Sequence, residues 1–221
     1  MIYQPDFTDI LLNLDLLARG AWLTLALWGI AFAFGLAMGL VLGLVRSSGN
    51  RWLSLPAAAY VEVFRNTPVL VQLVWFYFAF PVLTGWQMSG FVAAALGLAL
   101  NTSAYCAEIF RGGIASIARG QWEAGRALGM RRTALMRRII LPQAVRRMVP
   151  AFTNRGMELG KMTAIASVIS VHELMYEARL LSSQTFRPLE VFTVIALVYF
   201  AVIYPGTLLS YRLEARMRRG A

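Results

Sequence analysis

The sequence predicts an all-α, polytopic membrane protein with about five transmembrane helices, and three observations carry that prediction. Of its 221 residues, 58% are hydrophobic and 14% charged, an apolar share above the ~45–50% usual for soluble domains. Three long stretches hold no charge at all: 20–45, 66–107 and 191–211. A bilayer core is crossed by roughly 20 apolar residues, so the outer two stretches hold one span each and the middle one has room for two. The third observation excludes a transmembrane β-barrel, whose strands alternate apolar and polar residues in segments of ~10.

Span one is expected over 20–45. Gly35, Gly39 and Gly43 repeat at steps of four within it, a small-residue stripe that lets a second helix approach closely. Span two is expected over 57–80, with Glu62 and Arg65 in its first turns and Pro68 just behind Asn66-Thr67. Pro81, Thr84, Gly85 and Gln87 mark a short outer turn, and span three follows over 90–110. Residues 162–171 are free of charge but too few to cross alone. Span four must therefore borrow 150–161, which carries Arg155, Glu158 and Lys161. Span five is expected over 189–211.

Arginine placement orients the set. Arg46 and Arg51 follow span one, Arg111 to Lys161 separate spans three and four, and Arg212, Arg216, Arg218 and Arg219 follow span five. The opposite side holds only Arg19 and a loop with Arg179 and Arg187. The positive-inside rule then puts the N-terminus outside and the C-terminus inside. The N-terminus has acids and no basic residue before Arg19, unlike a cleavable signal, so span one is expected to remain as an anchor. The net charge of +10 fits cytosolic loops facing anionic lipid, and no nucleic-acid partner is expected.

No catalytic set is visible. The closest approach to a phosphate loop, Gly156 to Lys161, has three residues between its glycines and Met162 after the lysine, whereas a P-loop needs four and then Ser or Thr. His172 is the only histidine and reads as a hydrogen-bonded loop residue. Cys106 is the only cysteine and reads as a buried, inert thiol.

Charged groups at membrane depth are costly and mark function by default. Glu62–Arg65, Glu108–Arg111 and Arg155–Glu158 stand three apart, where helical neighbours can neutralise one another. The first two pairs are read as holding the base of the bundle together. Glu158, Lys161, Met162, Thr163 and Ser167 are read as a substrate pathway, the two hydroxyls forming a polar line four residues apart. That face offers donors and acceptors to a zwitterion where water is excluded.

The largest soluble feature is the insert at about 112–150. Residues 121–128 are good helix formers, Gly129 suits a C′ stop, and a second helix from Arg131 carries Leu135, Ile139 and Ile140, with arginines opposite. Pro142 is expected to interrupt it. By spacing alone this reads as a cationic amphipathic helix lying on headgroups.

Glu123-Ala124, Gly129, Ile139, Leu141 and Pro142 match the E-A-A-x3-G-x9-I-x-L-P signature of the membrane subunits of bacterial ATP-binding-cassette (ABC) importers, with Gly125 in place of the second Ala. FRNTPVLVQLVWFYFAFP (64–81), AYCAEIFRGGIASIARGQWEAGRALG (104–129) and ISVHELMYEARLLSSQTFRPLEVF (169–192) resemble the polar amino acid permeases, the group with histidine, glutamine and glutamate/aspartate permeases. The resemblance implies one transmembrane permease domain over 1–221 in a bacterial inner membrane. It implies a non-catalytic subunit whose insert docks on ABC ATPase subunits, which themselves bind the ATP and Mg; this chain holds no cofactor. Glu123 and Ala124 would meet the ATPase, Leu128, Gly129 and Met130 would form the apolar tip, and Ile139, Leu141 and Pro142 would anchor the lever. A second permease subunit and an extracytoplasmic solute-binding protein are implied as partners. The implied cargo is a polar amino acid, or an opine or other amino-acid-like solute. Two further departures stand out: Ala118 where the family has Pro, and Met162 between Lys161 and Thr163.

Overall fold

The computed structural model of the chain describes residues 4–48 and 50–218. Arg219, counted above among the cytosolic arginines, lies outside them, as do the side chains of Arg216 and Arg218. All regular structure among the described residues is helical. A short helix α1 (Thr8–Leu12) leads into α2 (Leu14–Arg46), which at 33 residues is about 50 Å long. Its glycine stripe faces α6 (Gly90–Ala115). A Cβ at Gly35 would meet Thr102 at 2.7 Å and one at Gly43 would meet Phe110 at 2.8 Å, so the stripe packs helices together inside one chain.

The second predicted span is not a straight rod. It runs as α3 (Arg51–Asn66), then α4 (Val69–Val74), a π turn (Trp75–Ala79) and α5 (Phe80–Thr84), and its two halves meet at 106°. The cause is local. Thr67 precedes Pro68 and is extended, at φ −105°, ψ 134°, because the proline ring excludes the α conformation one residue earlier. Asn50 starts α3 by accepting from the Trp52 amide at 3.0 Å, and Ser89 caps α6 on Val92.

After α6 come α7 (Arg119–Ala127), α8 (Arg132–Leu135), a π turn (Met136–Ile140) and α9 (Leu141–Met162), which tightens into a 3₁₀ stretch (Thr163–Ile169). The stretch read as a loop with Arg179 and Arg187 instead contains α10 (Leu174–Thr185). Glu173 starts this helix by accepting from the Met175 and Tyr176 amides and from the Tyr199 hydroxyl at 2.8 Å. Burial raises its pKa above the ordinary carboxylate range, against the pull of those bonds. The chain ends in α11 (Pro188–Arg218).

Among the described residues α2, α6 and α11 are each long and apolar enough to cross a membrane, and the bent α3–α5 pair makes up to a fourth such span. Helix α9 carries Arg155, Glu158 and Lys161 and does not join them. The main core, with Leu27, Leu73, Phe76, Leu98, Leu159 and Ile169, ties α2, the bent pair, α6 and α9 into one bundle. Large apolar side chains such as Trp22, Phe34, Val82, Leu197 and Phe200 point outward, the reverse of a water-soluble surface and the arrangement lipid favours.

Candidate functional site

The elbow expected to face the cytosol is built from α7 and the turn behind it. The Gly129 amide donates to Arg126 at 2.9 Å and the Met130 amide to Gly125 at 3.1 Å. With Gly129 at φ +71° this is a Schellman stop, which satisfies carbonyls the helix end would leave bare. Glu123, Ala124 and Gly129 are exposed and Leu128 is 78% exposed, so four of the residues assigned to docking share an open surface. Met130 does not join that tip. It is half-buried and packs on the cluster of Ile117, Leu135, Ile140, Ala144 and Met148 that fixes the elbow to α6 and α9.

The anchoring residues also differ from the expectation. Pro142 does not interrupt the helix, which passes from α8 into α9 without a break. The π turn at 136–140 widens the backbone before Pro142, and a widened turn accommodates a proline that lacks its N–H. The extra residue also rotates the buried face. Ile140 is fully buried and Leu135 1% exposed, whereas Ile139 is half-buried and Leu141 and Pro142 lie on the surface.

The second cluster is buried inside the bundle around Arg155, which is 3% exposed. Its guanidinium donates to Asn101 Oδ1 at 2.6 Å, Thr102 Oγ1 at 3.3 Å and Glu158 Oε2 at 2.9 Å, and lies 4.1 Å from the centroid of the Tyr105 ring. Asn101 Nδ2 donates in turn to the Phe64 carbonyl at 2.9 Å and to Gln72 Oε1 at 3.2 Å. Gln72 Nε2 reaches the carbonyls of Phe64 and Thr67, both at 3.0 Å. Pro68 and the bend strip α3 of its last helical partners, and a helix end in lipid must find others. The two amides supply them, and Arg155 holds Asn101 in place.

Along α9 the expected charged face divides in two. Arg155 turns inward, while Glu158 and Lys161 are exposed, and no carboxylate among the described residues pairs with Lys161. Met162 is half-buried. Thr163 and Ser167 do not form the expected line, because the 3₁₀ stretch brings residues three apart into register instead of four. Thr163 is fully buried and its hydroxyl donates to Gly160 O at 2.8 Å; the Ser167 hydroxyl donates to Ala164 O at 2.8 Å. Of the two pairs read as bundle-base contacts, Glu108 binds both Arg111 and Arg46 at 2.5 Å. Glu62 instead accepts from Asn66, and Arg65 faces Tyr105.

Comparison with known proteins identifies the family in which this bent second span, exposed elbow and buried polar joint occur together. Residues 20–219 match the family of binding-protein-dependent transport system inner membrane components. The chain belongs to that family. It is 36% identical to the glutamine transport system permease protein of Escherichia coli K12, over 97% of this chain and 99% of that one. It is 40% identical to the octopine transport system permease protein of Rhizobium meliloti, over 84% of this chain and 79% of that one. Among solved structures, a chain of an amino acid ABC transporter matches with TM-score 0.92 at 36% identity, covering 97% of this chain and all of that one. A methionine ABC transporter shares the fold, with TM-score 0.78 at 24% identity.

The permease's departures from the signature have local causes. A Cβ at Gly125 would collide with the Leu135 side chain, which is itself locked in the elbow core. Replacing Gly125 with the signature's Ala is expected to lower stability by about 1–3 kcal/mol through overpacking, read as a lower melting temperature. Ala118 already sits at φ −55°, ψ 138°, close to the angle that proline imposes, so the missing proline leaves the loop unchanged. Sequence reading missed Gln72, Asn101 and Tyr105. Their signal was available: an uncharged run of transmembrane length that holds amides needs partners for them.

Proposed function

We propose that the permease carries a polar amino acid inward across the bacterial inner membrane, driven by ATP hydrolysis in separate ATPase subunits that bind the ATP and Mg and dock on the elbow. In this reading α9 with its 3₁₀ end is the remaining crossing, giving five spans with the N-terminus outside and the C-terminus inside. A second permease subunit closes the path, and an extracytoplasmic binding protein delivers the cargo. The observation that carries the reading is the exposed pair Glu158 and Lys161 on α9, one acid and one base three residues apart at membrane depth. An α-amino acid presents an ammonium and a carboxylate, and that pair matches both. Met162 borders the pair, and Thr163 and Ser167 shape the helix behind it.

Reconstitution with the ATPase and binding protein tests the reading. Amino acids that are cargo are expected to stimulate ATP hydrolysis and to accumulate inside vesicles. Glu158→Ala and Lys161→Ala are each expected to lower uptake about 10-fold, the loss of one charge-assisted hydrogen bond, with assembly unchanged. Wild-type uptake by both variants would remove the assignment. An opine is the second cargo, favoured by the 40% identity to the octopine permease; octopine and glutamine offered separately distinguish the two.

A further inference from the structure

We propose that the outer end of the permease holds an open carboxylate subsite at the exposed Arg179, which receives the acid group of the arriving solute. The inference rests on the solute-permease reading above. A cavity of about 650 Å³ opens between the 3₁₀ stretch, α10 and α11, and its polar walls are Ser167, Ser170, Tyr176, Arg179, Ser182 and Ser183. That volume lies within the range of ligand pockets. Helix α10 presents Tyr176, Arg179 and Ser183 at steps of three and four, which is one helical face. Ser170 closes the 3₁₀ stretch in the left-handed region at φ +58°, turning the chain there.

The charge balance of the cavity selects its ligand. Arg179 is its only ionised wall residue, and no acid lines it. The carboxylates nearest in sequence are engaged elsewhere. Glu177 is 5% exposed, with Oε1 on His172 Nδ1 at 2.8 Å, and Glu173 is fully buried against Tyr199 and the start of α10. None of the ion pairs among the described residues uses Arg179. An arginine fork that shares a cavity with hydroxyl residues and makes none of the described ion pairs favours a planar carboxylate, which it binds through two parallel N–H bonds.

Position supports a small solute as the source. Val168 is also on the cavity wall and lies seven residues beyond Lys161 on the same helical run, so that wall stands on the order of 10–14 Å from Lys161 along it. A carboxylate released by Arg179 meets Glu158 and Lys161 next.

The test labels arginines with phenylglyoxal on the assembled permease–ATPase complex in nanodiscs and reads Arg179 by mass spectrometry, with Arg19 as the internal standard. Glutamine and acetate are expected to slow Arg179 labelling several-fold, and glutaminamide, which lacks the acid group, is expected to leave it unchanged. Protection by the amide, no protection by either acid, or an Arg179 shielded from reagent in the complex would overturn the proposal. Protection by unloaded binding protein alone would assign the carboxylate to that protein and overturn the solute assignment. Arg179→Gln is expected to lower uptake severalfold, with Arg179→Lys restoring part; wild-type uptake by Arg179→Gln counts against the subsite. If no amino acid is transported while the labelling pattern holds, the cargo reading fails and the subsite stands.

Discussion

Arg155→Ala is expected to lower the stability of the permease by about 3–5 kcal/mol, the cost of removing one member of a buried charged network. The loss has named parts. Asn101 Oδ1 and Thr102 Oγ1 lose their donor, Glu158 loses its cation, and Tyr105 loses the guanidinium over its ring. Asn101 then holds the Phe64 carbonyl less firmly, so the bend at Pro68 loosens with it. Arg155→Lys keeps the charge without the planar fork and is expected to recover only part. Pairing Arg155→Met with Glu158→Gln removes both charges at similar volume and is expected to regain much of the stability while uptake stays lowered by the loss of the Glu158 charge. Thermal unfolding of the detergent-solubilised complex reads the first effect and vesicle uptake the second. An Arg155→Ala protein that melts with the wild type would show that the joint holds nothing together.

Gly129→Val is expected to abolish coupled uptake while leaving the bundle folded. A Cβ at Gly129 meets nothing within 4 Å, so the penalty is conformational: a side chain at φ +71° costs about 1–2 kcal/mol, more when β-branched. The elbow relieves that strain by opening its Schellman turn, which moves Leu128 and the exposed face of α7. Coupling requires an element that both the ATPase and the spans bias, and a frayed turn transmits less of either. Gly129→Asn is expected to remain near wild type, because Asn tolerates the left-handed region. The readouts are the amount of ATPase subunit that co-purifies and the solute moved per ATP. Full assembly and uptake by Gly129→Val would refute the coupling role of the elbow.

Much of this was legible in the sequence because it depends on local chemistry. Gly129 ends α7 for reasons confined to its own backbone, and the glycine stripe of α2 could be read from its spacing. The apolar runs set three of the crossing helices. Other features were not legible, each for a physical reason. Pro68 was visible, but whether it ends a helix or bends one depends on who satisfies the freed carbonyls, and Gln72 and Asn101 stand 5 and 34 residues past Thr67. Thr163 and Ser167 read as one face only if the helix keeps its α pitch. The 3₁₀ tightening that separates them lies between α9 and α10.

The sequence by itself determined the solvent and the punctuation of this permease: uncharged runs that belong in lipid, and the glycines and prolines that start, stop or bend helices. These follow from transfer free energies and backbone sterics, which act residue by residue. The tertiary structure alone decided which polar groups are spent on one another and which remain open. Arg155, Glu158 and Lys161 are all charged in the sequence, yet Arg155 is locked against Asn101, Glu158 is its exposed ion-pair partner, and Lys161 faces outward. That division depends on desolvation and hydrogen-bond partners that only the packed helices bring within reach.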